Sequence, residues 1–68
     1  MTGIYECHGE EGTDYYAIVR DGEEFRLEFV DKVDGIFFYR GFLTNARPKE
    51  YLIELLENAY QTVTKVEE

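Results

Sequence analysis

The chain has 68 residues, fifteen acidic and seven basic, and a formal net charge of -8. A domain of this size hides only about 60% of its unfolded surface, so its core is modest. A negative field of this strength opposes a nucleic-acid or anionic-membrane ligand and favours a protein partner with a basic surface.

The charge is uneven. Residues 1–34 hold ten acids and three bases, residues 35–49 three bases and no acid, and residues 50–68 five acids and one base. Aromatics make up 16% of the chain, as six Tyr and five Phe. Disordered chains are poor in such residues, so the composition points to one globular domain, 1–68.

Gly3 to His8 reads as a first strand, followed by a loop at Gly9–Thr13. Asp14–Arg20 and Glu23–Val30 alternate as second and third strands around Asp21-Gly22, a two-residue hairpin signal. That turn pairs Ile18 with Phe25, Tyr16 with Leu27 and Asp14 with Phe29. Tyr16, Ile18, Phe25, Leu27 and Phe29 then share one face, and Tyr15, Ala17 and Val19 the other. Asp31–Gly35 reads as a second hairpin loop. Ile36–Leu43 reads as a fourth strand, with Gly41 as a bulge.

From Ala46 the period changes. Leu52, Leu55, Leu56, Ala59, Val63 and Val66 recur at spacings of three and four and predict a helix over 46–66. Thr44 or Asn45 is positioned to cap it, and Pro48 suits its first turn. The fold expected is α+β: a four-stranded antiparallel meander over 1–43 with one C-terminal helix packed on one sheet face.

The chain has one cysteine, one histidine and no serine. Cys7 and His8 are adjacent on a strand, so their side chains point to opposite faces and make a poor nucleophile–base pair. Cys7 reads as a small buried residue. Glu6, His8, Glu10 and Glu11 form a poor transition-metal set, with one imidazole among flexible carboxylates. Asp31, Asp34 and Gly35 lack the remaining spacing of a calcium loop. No enzyme activity, metal or cofactor is expected. The first residues lack the basic region and apolar core of a signal peptide, and no apolar run approaches the ~20 residues of a membrane span. A lone cysteine suits a reducing compartment, so a cytoplasmic location is expected.

The usable signal is acidic. Glu10, Glu11, Asp14, Glu23, Glu24, Glu28, Asp31 and Asp34 are the candidate partner-binding residues, each a phosphate-like acceptor for Lys or Arg. Small size, acidity and aromatic richness are similar in composition to phage-encoded inhibitors of host nucleic-acid machinery, including DNA mimics that block restriction or CRISPR complexes. The expected function is therefore a non-enzymatic acidic protein that occupies a basic, nucleic-acid-binding surface of a protein partner, without direct nucleic-acid or membrane contact. The alternative is an interaction module or homodimer using an aromatic outer face of Tyr15, Val19, Phe37 and Tyr39.

Overall fold

The computed structural model describes residues 3–68. The chain order is β1 (Gly3–Gly9), β2 (Gly12–Asp21), β3 (Glu24–Val33), β4 (Ile36–Phe42), α1 (Lys49–Ala59) and β5 (Thr62–Glu67). All neighbouring strands run antiparallel, in the spatial order β4-β3-β2-β1-β5. The α+β class and the helix-backed meander agree with the sequence. The strand number is five rather than four.

The difference lies at the C-terminal end. The helix stops at Ala59, and residues predicted to continue it form an edge strand beside β1. Thr62, Val63, Thr64 and Val66 explain the change. Branching at Cβ restricts χ1 in a helix and suits a pleated surface. Val63 and Val66 match helical spacing, but Thr-Val-Thr also alternates, and pairing satisfies the backbone of β1. Tyr60 adopts an extended conformation (φ -130°) while its N–H closes the last helical turn on Leu56. Gln61 N–H then donates to the His8 carbonyl, starting the β5 ladder.

The first turn of α1 also differs from expectation. Pro48 occupies the N-cap, and no side chain caps the helix. The Thr44 hydroxyl instead accepts a bond from Leu27 N–H, tying the β4–α1 connection to β3.

Gly22 and Glu23, rather than Asp21 and Gly22, form the β2–β3 turn, so Asp21 pairs with Glu24, Ile18 with Leu27 and Tyr16 with Phe29. Gly22 takes φ +68° at the first turn position, while Glu23 keeps negative φ, the arrangement of a II′ hairpin. The pairing is shifted by two residues from that expected. An even shift preserves the faces, so Phe25, Leu27 and Phe29 remain on the helix side. At the next hairpin the expected loop shortens to Asp34-Gly35, with Val33 paired to Ile36. The bulge at the end of β4 is present: Phe29 opposes Gly41 and Val30 opposes Tyr39, leaving Arg40 extra.

On the helix side, Tyr5, Cys7, Tyr16, Ile18 and Leu27 pack with Leu52 and Leu56, flanked by Phe25, Ile53, Tyr60 and Val63. Leu55 and Ala59 are exposed, as is Val66, so the helix stripe is narrower than its spacing implied. Phe29 lies on the correct face but remains 43% exposed, because α1 does not cover the β4 half of the sheet. The opposite face has its own small core of Ile4, Ala17 and Val30, sheltered by Tyr15, Val19 and Phe37.

Candidate acidic binding surface

An antiparallel meander sends alternate turns to opposite ends of its sheet, which divides the eight predicted carboxylates. Glu10 and Glu11 form the β1–β2 turn and Asp34 begins the β3–β4 turn, so they share one end with Asp14 and Asp31. Glu23 and Glu24 lie at the β2–β3 turn, the other end. Glu28 is mid-strand, paired with Ala17 and Phe42. The ten residues of β2 separate the ends by about 30 Å at ~3.3 Å per residue. Screening limits a surface field to about 8 Å at physiological ionic strength. The two groups therefore act as separate surfaces.

Counter-charges distinguish them. Arg20, Arg26, Arg47 and Lys49 lie toward the Glu23–Glu24 end. Arg26 pairs with Asp21 at 2.7 Å, and Arg20 reaches the Gly22 carbonyl. Arg47 forms a backbone bridge with Phe25. At the Glu10–Glu11 end, Arg40 is held 2.7 Å from Asp31. Lys32 is stationed over the Tyr15 and Phe37 rings, at 5.5 and 5.4 Å. Among the described residues, Glu10, Glu11, Asp14 and Asp34 have no ion-pair partner.

The same end contains a cleft of about 650 Å³, lined by Gly9–Asp14 of the β1–β2 hairpin and by Asn58–Gln61. Its wall is fixed by a hydroxyl relay. Tyr16 donates to Tyr60 (2.6 Å), and Tyr60 donates to Asp14 Oδ2 (2.7 Å). Burial, followed by these two bonds, holds the Tyr60 phenol well above its usual range. The C-terminus of α1 opens into this region with no basic residue in its last turn, so its partial negative charge adds to the carboxylates. Chemically, the arrangement presents the carboxylates of Glu10, Glu11 and Asp14 as acceptors to a cation, beside the neutral amides of Asn58 and Gln61.

Sequence reasoning missed Glu50, Glu54 and Glu57. They recur at i, i+4 and i+7, opposite Leu52 and Leu56, and all are exposed. That spacing makes one row of carboxylates along α1, legible from the same helical period that revealed the leucines. Asn58 and Gln61 carried no signal in the sequence, because only the β5 turn brings them to the hairpin.

The aromatic outer face is partly closed. Tyr15, Val19 and Phe37 are half-buried over Ile4, Ala17 and Val30, while Tyr39 is exposed. Tyr15 meets Phe37 edge-on at 5.5 Å and donates to Glu6 Oε2 at 2.8 Å. His8 Nε2 lies 3.0 Å from Glu6 Oε1 and its Nδ1 2.8 Å from the Thr13 hydroxyl. A carboxylate only accepts, so Nε2 carries the hydrogen directed at Glu6. The bonds from Tyr15 and then His8 lower the Glu6 pKa. Cys7 lies on the other face, fully buried, its thiol pushed up to about 11 chiefly by burial.

Among the described residues, no helix is long and apolar enough to cross a membrane. Neither a known protein family, a curated protein nor a solved structure matches this chain.

Proposed function

We propose that this is a non-enzymatic acidic binding protein that engages a basic protein surface through the end of the sheet bearing Glu10, Glu11, Asp14 and Asp34. One observation carries the reading: the cations near this end, Arg40 and Lys32, are committed to Asp31 and to the Tyr15 and Phe37 rings, whereas Arg20, Arg26, Arg47 and Lys49 all gather toward Glu23 and Glu24, which are equally without an ion-pair partner among the described residues. The cleft beside Glu10, Glu11 and Asp14 accommodates a Lys or Arg side chain of the partner, and charge-assisted bonds to carboxylates would hold it. Glu50, Glu54 and Glu57 extend the negative row along α1, with spacings of about 6 and 4.5 Å at 1.5 Å rise per residue. A row of single-sign charge suits a surface that ordinarily holds phosphates, as in inhibitors that occupy nucleic-acid-binding sites.

The test is affinity capture from lysate followed by measurement with the captured partner. Joint reversal of Glu10, Glu11 and Asp34 to Lys should weaken binding far more than reversal of Glu23 and Glu24, and wild-type affinity should fall with added salt. Equal effects of the two reversals, or salt-independent affinity, would defeat the proposal.

A second reading, an interaction module or homodimer built on aromatic residues, is favoured by the exposure of β4. Ile36, Phe38, Tyr39 and Phe42 are each between 46% and 58% exposed.

A further inference from the structure

We infer that β4 is a self-pairing edge: two copies of this chain join β4 to β4 antiparallel about a two-fold axis at Phe38, forming one continuous ten-stranded sheet. The inference makes the second, aromatic reading specific and is independent of the acidic end.

The two edges of the sheet are unlike. On β5, Thr62, Thr64 and Lys65 alternate with or follow valines, and a lysine is a common guard on an exposed edge. β4 reads Ile-Phe-Phe-Tyr-Arg-Gly-Phe, apolar on both faces until the bulge. An unprotected edge of this kind is a template for another strand.

Backbone geometry selects the register. Val33 and Ile36 flank a two-residue turn, so they form a hydrogen-bonded pair and Ile36 directs its backbone groups toward β3. Alternation then turns the N–H and C=O of Phe37 and Tyr39 outward. Pairing Phe37 with the other copy's Tyr39, and the reverse, satisfies all four outward groups of each copy's strand centre. The axis then passes through Phe38, which meets its own copy in a close, non-hydrogen-bonded pair. Arg40 opposes Ile36 rather than another arginine. Phe37–Tyr39 cross-strand pairs form on the helix-free face, an aromatic contact that favours sheets.

Charge identifies the occupant as a second copy. Two chains of net charge -8 repel except where charge is locally balanced; β4 itself carries no acid, and Asp31 of β3, beside Phe38, is paired with Arg40 at 2.7 Å. The paired segment has apolar surface to lose: Ile36, Phe38 and Tyr39 are each 46–58% exposed, and a large aromatic side chain carries roughly 150–250 Å².

Sedimentation equilibrium of the full chain, from micromolar to millimolar concentration, should show the mass rising from 8.0 kDa to twice that value. Phe38→Lys sets two ammonium groups face to face across the axis and should hold the chain at the monomer mass with an unchanged far-UV spectrum. Oxidised glutathione should cross-link Phe38→Cys but not Tyr39→Cys. Opposed Cα atoms in such a pair lie about 4.5 Å apart, within disulfide reach, whereas residue 39 is displaced from its own copy. A wild-type chain monomeric at millimolar concentration would overturn the inference. So would a dimer that persists in Phe38→Lys, or cross-linking of Tyr39→Cys in preference to Phe38→Cys.

Discussion

Tyr60 donates a 2.7 Å hydrogen bond to Asp14, linking the C-cap of α1 to β2 across 46 positions of sequence. Tyr16 completes the relay by donating to Tyr60. Tyr60→Phe should therefore destabilise the fold by about 1.5–3 kcal/mol, the range for a bond to a charged acceptor. The folded phenol titrates above its ordinary 10.0, so its contribution is full below pH 10 and declines progressively from there as pH rises toward the folded value. Urea unfolding measured from pH 8 to 11 should show a shallower alkaline decline in Tyr60→Phe than in wild type. Parallel declines would remove Tyr60 from this role.

The helix buries Leu52 and Leu56 but leaves Leu55 39% exposed. Leu56→Ala should cost about 2–5 kcal/mol, as for a buried leucine elsewhere. Leu55→Ala should stay within about 1 kcal/mol, nearer the range of surface substitutions. Urea midpoints of the two variants check the difference, and equal losses would mean that the helix presents another face to the sheet.

β5 shields Cys7, which pairs with Val63 and is fully buried. Both the raised thiol pKa and the covering strand slow its modification. Val63→Asp places a carboxylate in the core beside Cys7 and should open the edge strand. Labelling by an aromatic disulfide reagent at pH 8 should then accelerate by about tenfold or more, which corresponds to at least ~1.4 kcal/mol less protection. Unchanged labelling would show that β5 does not guard the thiol.

The hairpin region was legible because its signals are local. Period-two alternation placed Tyr16, Ile18, Phe25 and Leu27 on the helix face, and this survived a two-residue error in register because faces repeat every two residues. The turn itself was misplaced because Gly22 suits positive φ at either turn position, whether the turn is Asp21-Gly22 or Gly22-Glu23. β5 was hidden by ambiguity: Val63 and Val66 fit a helix at i and i+3, the β-branched alternation of Thr62, Val63 and Thr64 fits a strand, and the unpaired edge of β1 decides between them. The division of the acids was also beyond the sequence, since charge counted along the chain ignores that consecutive hairpins point in opposite directions. The carboxylate row on α1 follows from the same helical period as Leu52 and Leu56.

The central claim is that the Glu10–Glu11 end, rather than the acidity of the chain as a whole, receives a basic partner. The most direct measurement is an amide chemical-shift titration of the isotopically labelled protein with hexalysine, at low salt and again near physiological ionic strength. Shifts should concentrate at Glu10, Glu11, Asp14, Asp34, Asn58 and Gln61 and weaken with salt, with little change at Glu23 and Glu24, where nearby arginines and Lys49 oppose a cation. Shifts concentrated at the Glu23–Glu24 turn, or spread evenly over all exposed carboxylates, would contradict the central claim.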